Sequence, residues 1–189
     1  MDKLKLADEI YNYEQVDSNP SSTKYEFISV GEKEIPKRVH LMQYHHPGLT
    51  QYYNLGFGNI YIDDEGIENV SDMSRDNNRS DANKVLKTTL MCTVDFLSDN
   101  KDSIVTFYGN TKAKQRLYKK SINLNLEEIQ EVLVVKGGII NNITIVENQE
   151  TEKTNLNPID PNDIMFENYA ISDSNKYNII TFELKDEFK

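Results

Sequence analysis

A stripe of apolar residues at helical spacing crosses the middle of the chain, between two regions whose composition is typical of β structure. Its members follow positions i, i+4, i+8 and i+11 of one helix face: Leu86, Leu90, Val94 and Leu97. Adjacent apolar positions widen this face, so the helix is predicted to be largely buried against a sheet. Ser80 or Asp81 is predicted to cap its N-terminus by accepting hydrogen bonds from backbone amides.

Runs rich in β-branched and aromatic residues lie on both sides of this helix and predict strands. Before the helix they cover residues 25–30, 38–44, 51–62 and 67–70. After it they cover residues 103–108, 138–140, 143–145 and 178–184. Residues 63–66 are predicted to form a turn in which Gly66 supplies a positive φ, and Asn141-Asn142 is predicted to join a hairpin.

A second helix is predicted from Lys112 to about Ser121, capped by Thr111, and a helical stretch over residues 126–133 follows or continues it. Helical spacing is expected to turn Ala113, Leu117 and Ser121 toward the core. The element order predicts a single α+β domain, with an antiparallel or mixed β-sheet and two main helices packed on one face. The domain is expected to span residues 25–189, with residues 1–24 as a polar N-terminal arm and a long polar loop at 147–163.

Composition limits the classes of partner. The hydrophobic content of 38% is enough for a core, and the net charge of −10 repels nucleic acid, so any such contact must use a local basic patch. No run approaches the roughly 20 apolar residues that span a bilayer, so no membrane contact is expected and a cytoplasmic location is predicted. The single cysteine, Cys92, is interpreted as a small buried apolar residue.

A cationic segment, residues 106–120, stands out in this acidic chain. No acidic residue lies between Asp102 and Glu127. The predicted helix start offers free backbone N–H groups and the positive end of the helix dipole, which together bind anions. The candidate anion-binding residues are Gly109, Asn110, Thr111, Lys112, Lys114, Arg116 and Tyr118.

Each of these candidates has a chemical role. Gly109 lets the backbone approach an oxyanion, Thr111 can donate its hydroxyl proton, and Arg116 can bind phosphate or carboxylate through two parallel bonds. Gly109, Asn110, Thr111 and Arg116 form the expected anchor, and Tyr118 can stack on a base. The alternative is that these lysines and the arginine form an ordinary solvated helix face.

No metal site and no cofactor are predicted. His40, His45 and His46 lack the spacing of a metal-binding helix, and no Walker loop, GxGxxG or GxSxG occurs. The acidic residues between Asp63 and Asp81 leave a nuclease open as an alternative, because strands followed by helix, strand and helix resemble the ribonuclease-H element order.

Three segments together resemble an uncharacterised bacterial family with the status of a domain of unknown function. Its pattern is YNLAFGD, then SNNGD..KVL.T, then F.GST..RTRLY. The corresponding segments here are residues 53–59, residues 77–88 and residues 107–118, within a resemblance over residues 25–140. The chain departs from the pattern at Asn59, where the family has aspartate, at Arg79-Ser80, and at Asn110, where the family has serine. The resemblance implies no activity, but it marks residues 109–118 as characteristic of the fold or of its site.

These observations favour a non-catalytic binding module over an enzyme. Its ligand is expected to be a phosphate-bearing molecule, a nucleic-acid end or an acidic surface of a partner protein. One alternative is a phosphate-processing enzyme, such as a nuclease or nucleotidyl-transfer relative, that uses carboxylates of residues 63–81. Another is a structural or homodimerising protein.

Overall fold

The computed structural model describes residues 9–45, 47–71, 77–78, 80–109, 111–140 and 164–189. Within these residues, nine strands form one mixed sheet, and two long helices pack on one of its faces. The strands are β1 (Tyr13–Asn19), β2 (Ser22–Val30), β3 (Glu34–Gln43), β4 (Tyr52–Ile62), β5 (Glu68–Ser71), β6 (Ile104–Phe107), β7 (Leu133–Ile140), β8 (Ile164–Asn168) and β9 (Ile179–Leu184). The helices are α1 (Ala82–Asp99) and α2 (Lys112–Gln130). The predicted α+β domain is confirmed.

The sheet has the order β1-β2-β3-β4-β6-β9-β7-β8, and β5 pairs with β4 beside this path. Among the described strands, β4 and β6 are the only neighbours that run parallel, and their register places Tyr53 opposite Val105. After the β4–β5 hairpin, α1 carries the chain back to the start of β6. The carboxyl ends of β4 and β6 therefore lie at the same end of the sheet, where α1 and α2 both begin. Such an end is a common place for ligand sites in sheets with parallel strands.

Paired inward positions of neighbouring strands form the core. Val39 lies opposite Tyr25, Leu41 opposite Leu55, and Val105 opposite Phe182, and all six side chains are buried. The predicted α1 stripe covers them, with Leu86, Leu90, Val94 and Leu97 all buried. Cys92 is buried in the same helix, and burial raises the pKa of its thiol.

The prediction of which α2 residues face the core was partly wrong. Ser121 is buried, but Leu117 is 46% exposed and Ala113 is exposed. The stripe instead follows positions i, i+4, i+8 and i+11 over the whole helix: Tyr118, Ile122, Leu126 and Ile129. The two predicted helical segments are one helix, so a pattern taken from the first segment alone was out of phase by one residue. Leu133 belongs to β7.

Part of the predicted N-terminal arm belongs to the sheet. Tyr13–Asn19 is an edge strand paired with β2, and Tyr11 stacks on Phe27 with ring centroids 5.7 Å apart. The Tyr11 amide also donates to Thr88 Oγ1 at 3.0 Å, which attaches this segment to α1. Aromatic residues within a polar segment thus supply the contacts that order it. Residues 1–8 lie outside the described ranges.

The turn predicted at residues 63–66 is confirmed. Gly66 has a φ of +79°, and Asp63 Oδ1 accepts hydrogen bonds from the amides of Glu65 and Ile67 at 3.0 and 2.9 Å. The predicted strand at residues 143–145, the Asn141-Asn142 hairpin and the loop at residues 147–163 lie outside the described ranges. Neither α1 nor α2 is apolar enough over its length to cross a membrane, and this holds for each helix of the described chain.

Candidate functional site

A cavity of about 470 Å³ opens between the first turns of α1 and α2, and we call it the interhelix cavity. α1 contributes Asp81, Ala82, Val85 and Leu86, and α2 contributes Thr111, Ala113, Lys114, Leu117 and Tyr118. Strands β3, β4 and β5 and the segment before α1 complete the lining with Lys37, Phe57, Gly58, Asn59, Ser71, Asn77 and Asn78. The lining combines polar side chains with aromatic and aliphatic ones.

Lys37 is a buried cation that lines this cavity. It lies on β3 opposite Asn59 of β4, on the helix-covered face, and is only 4% exposed. Its Nζ donates to Asn59 Oδ1 at 2.6 Å and to Asn77 Oδ1 at 3.0 Å. Both partners are neutral amides, and no carboxylate in the described part of the chain forms an ion pair with it. An ammonium has three N–H donors, so these two bonds leave one for another acceptor.

Burial lowers the pKa of Lys37 from its ordinary value of 10.5, and the negative charge of Asp81 opposes part of this shift. The charged form is therefore the one that folding disfavours.

This shift predicts a pH dependence of stability. Because the folded-state pKa of Lys37 lies below 10.5, the unfolded chain binds more protons between the two pKa values. The free energy of unfolding of the wild type should therefore rise with pH, relative to that of Lys37→Met, from the lowered pKa up to 10.5. Below that window the difference should stay constant. Urea denaturation of both proteins at a series of alkaline pH values measures this difference in the free energy of unfolding. If the difference stays constant over the whole alkaline range, the pKa of Lys37 is not lowered by folding.

Asp81 and Asn78 attach the start of α1 to the sheet. Asp81 is the N-cap residue as predicted, but its carboxylate does not cap the helix; Oδ2 accepts from Ser29 Oγ at 2.5 Å and from Tyr11 OH at 2.8 Å. Burial and the bond to Asp81 raise the pKa of Tyr11. Asn78 is buried and donates to Ser29 Oγ at 2.9 Å and to the Lys33 carbonyl at 3.0 Å. These bonds fix one wall of the cavity.

The first turn of α2 forms the opposite wall. Thr111 is its N-cap, and Thr111 Oγ1 accepts from the Lys114 amide at 3.2 Å, which confirms the predicted cap. The hydroxyl proton of Thr111 stays available to an acceptor. Tyr118 is 9% exposed and stacks on Phe107, with ring centroids 4.5 Å apart and planes inclined by 24°. Its ring is therefore part of the cavity wall and not an open stacking platform.

The structure divides the predicted anion-binding residues between different surroundings. Thr111, Lys114 and Tyr118 line the interhelix cavity. Gly109 is buried behind the α2 start, and Lys112 is exposed. Arg116 lines a separate groove with Lys119 and Lys120, so it does not join Thr111 at one site. Asn110 lies outside the described residues.

Lys37 and Asn59 were missed from the sequence. The sequence does contain a signal for Lys37. Alternate positions of one strand have buried side chains, namely Ile35, Lys37, Val39 and Leu41. A lysine at an inward position must find buried polar partners, so it marks a polar site under the sheet. Their identity depends on strand pairing, which brings Asn59 opposite Lys37.

Within the described ranges, no group of three histidine, cysteine or acidic side chains is placed to hold a metal ion. The Asp63 carboxylate is used inside its own turn, where Oδ2 also accepts from Asn69 Nδ2 at 2.6 Å. Asp72 and Asp76, two of the carboxylates considered for a nuclease, lie outside the described residues.

The fold and the cavity define a class: a single α+β domain with a preformed cavity between two helix starts. The chain matches the "Family of unknown function (DUF6934)" over residues 8–157, and it belongs to that family. This agrees with the resemblance found in the sequence. Comparison with curated proteins gave no match, and comparison with solved structures gave none either.

All three segments that carry the family resemblance meet at the interhelix cavity. The first supplies Phe57, Gly58 and Asn59, the second Asn77, Asn78, Asp81, Val85 and Leu86, and the third Thr111, Lys114, Leu117 and Tyr118. Segments that are distant in sequence therefore line the same cavity. The cavity is therefore the candidate functional site.

Proposed function

We propose that the protein is a non-catalytic binding module that holds a small anionic ligand in the interhelix cavity. One observation carries this proposal: Lys37 is a buried cation whose described partners are two neutral amides. A buried charge that forms no ion pair is unfavourable by several kcal/mol in general. An anionic group of a ligand supplies an ion-pair partner and accepts a hydrogen bond from the remaining N–H of Lys37.

The rest of the cavity suits a ligand with two different ends. Thr111 and Lys114 lie on the α2 side of the cavity, where backbone N–H groups and the helix dipole also favour an anion. Phe57, Leu86 and Tyr118 form an apolar wall. A volume of about 470 Å³ falls in the usual range of small-molecule sites, roughly 300–1,000 Å³. The expected ligand is a phosphate or carboxylate group on an apolar or aromatic body.

Binding without catalysis is supported by the state of Asp81. This carboxylate lines the cavity, but two hydroxyl groups, those of Ser29 and Tyr11, already bond to it. It is used to hold the cavity wall, so it is poorly placed to serve as a general base. The cytoplasmic location and the possible use of a nucleic-acid end as ligand stay predictions.

Isothermal titration with phenyl phosphate, a nucleoside monophosphate and inorganic phosphate tests this function. The wild type should bind the first two more tightly than inorganic phosphate, which cannot use the apolar wall. Lys37→Met should weaken binding about 10- to 100-fold, because a hydrogen bond to a charged group contributes about 1.5–3 kcal/mol. Lys114→Met should also weaken binding, and it leaves the buried amide partners of Lys37 in place.

The matched control is Arg116→Met, which removes a cation from the same helix outside the cavity. It should leave the affinity unchanged. The proposal fails if no probe binds, or if Arg116→Met weakens binding as much as Lys37→Met does. Circular dichroism of each variant verifies that it is folded.

A further inference from the structure

A second concave surface lies on the outer side of α2, and we call it the α2 groove. It has a volume of about 440 Å³ and runs between α2 and the 3₁₀ turn Ile171–Lys176. Its lining includes Arg116, Lys119, Lys120, Asn123, Leu124 and Ile171. None of these residues lines the interhelix cavity, so the two surfaces can be tested separately.

The α2 groove concentrates positive charge in a protein of net charge −10. Arg116, Lys119 and Lys120 form no ion pair with any carboxylate of the described chain. The acidic residue of the adjacent 3₁₀ turn, Asp173, already pairs with Lys176. Lys119 is partly buried, and this burial lowers its pKa without a carboxylate to oppose the shift. Among the residues that the structure describes, these three cations therefore have no paired carboxylate.

Apolar side chains are exposed beside the three cations. Leu124 is 71% exposed and Ile171 is 52% exposed, one on each side of the α2 groove. The polar base between them is well ordered by hydrogen bonds: Asn123 Oδ1 accepts from Tyr169 OH at 2.8 Å, and Asn123 Nδ2 donates to Ser174 Oγ at 3.3 Å. The α2 groove therefore combines exposed aliphatic side chains on both of its sides with three cationic side chains of α2.

We propose that the α2 groove binds an acidic segment of a partner protein, in which an aliphatic side chain is flanked by carboxylates. Charge complementarity selects an acidic occupant, and the aliphatic edges select an apolar anchor. Nucleic acid fits less well, because none of the described residues that line the α2 groove is aromatic and could stack on a base. The net charge of −10 also repels an extended polyanion. This inference goes beyond the anion-binding function and does not depend on it.

Fluorescence anisotropy with a labelled synthetic peptide tests the inference. The peptide carries leucines at helical spacing flanked by glutamates, and a second peptide replaces each glutamate by lysine. The wild type should bind only the acidic peptide, with an affinity that falls as salt increases. The double variant Arg116→Glu/Lys119→Glu should lose at least tenfold in affinity, and Leu124→Asp should lose a comparable factor.

The charge-matched control is Lys185→Glu/Lys189→Glu at the C-terminal end, which should bind the acidic peptide like the wild type. Circular dichroism and urea denaturation of every variant show whether the fold is retained. The inference is overturned if the acidic peptide does not bind, or if the groove variants bind it as the control does. Tighter binding of a single-stranded oligonucleotide, or loss of self-association in the groove variants by sedimentation, would also overturn it in favour of nucleic acid or a second copy.

Discussion

Replacing Gly109 by alanine is expected to destabilise the protein by about 1–3 kcal/mol, the usual range for adding a carbon atom to a closely packed interior. Gly109 is buried between β6 and α2. A Cβ atom there would lie 2.8 Å from Gln115 Cα and 2.9 Å from the Lys114 carbonyl carbon, and closer still to the Gln115 amide nitrogen. These are backbone atoms of the first turns of α2, so relief requires a shift of the helix start.

The helix start is not free to move outward. Gln115 Nε2 donates to the Asn178 carbonyl at 2.6 Å and to the Tyr177 carbonyl at 3.3 Å, which holds this turn against the segment before β9. Tyr177 is itself almost completely buried. The strain introduced at position 109 must therefore be shared by α2 and the central sheet.

Urea denaturation compares Gly109→Ala with Gly56→Ala, a matched control in the middle of β4. An added Cβ at position 56 has no neighbour closer than the His40 carbonyl oxygen at 4.0 Å. The control should be unchanged or more stable by about 0.4–1 kcal/mol, because alanine restricts the unfolded chain. Equal midpoints for the two variants would show that the Gly109 contact does not constrain the fold. Anion binding should also weaken in Gly109→Ala, since Thr111 and Lys114 move with the helix start.

The parts of the fold that could be predicted are those that depend on local periodicity. The α1 stripe is regular over about three turns and is buried throughout, so its spacing was sufficient to define the helix and its buried face. The inward face of α2 was predicted wrongly near Leu117 because the apolar stripe begins only at Tyr118. The edge strand Tyr13–Asn19 was missed because most of its side chains are exposed and polar, which leaves little alternation to detect.

The candidate site could be predicted only on the α2 side. Charge and turn chemistry pointed to Thr111 and Lys114, which are three residues apart and lie at the start of one helix. Lys37 belongs to β3, and it reaches the same cavity because β3 pairs with β4 and β4 pairs with β6. The proximity of Lys37 to Thr111 and Lys114 depends on the order of strands in the sheet. Local sequence patterns do not predict that order. Arg116 was assigned to the same site because it lies in the cationic segment and can bind phosphate or carboxylate through two bonds, yet its position around α2 places it at the α2 groove.

The substitution Asn59→Asp is expected to change both the stability and the anion affinity of the protein. It adds a negative charge beside the buried ammonium without changing the shape of the side chain. Asn59 Oδ1 already lies 2.6 Å from Lys37 Nζ, so the new carboxylate forms an ion pair in place. Supplying the missing partner of a buried charge can recover at most about 3–5 kcal/mol. The existing charge-assisted bond already contributes about 1.5–3 kcal/mol, so we expect a net gain of about 1–2 kcal/mol.

The same substitution should remove anion binding at the interhelix cavity. The carboxylate at position 59 neutralises Lys37 and repels an incoming phosphate, so the affinity for phenyl phosphate should fall at least as far as in Lys37→Met. It also raises the pKa of Lys37, and the alkaline rise in stability of the wild type should therefore disappear or reverse. This combination of higher stability and lost binding separates a binding role of Lys37 from a purely structural one.

Urea denaturation and titration with phenyl phosphate measure both effects, with Asn12→Asp as a control that adds the same charge at an exposed position. The control should change neither stability nor affinity appreciably, because an exposed charge is screened by solvent. If Asn59→Asp binds phenyl phosphate as tightly as the wild type, Lys37 is not the group that holds the anion. If it loses both stability and binding, the cavity depends on the amide at position 59 for its shape. Only a gain in stability together with a loss of binding fits a lysine kept without a countercharge so that a ligand can provide one.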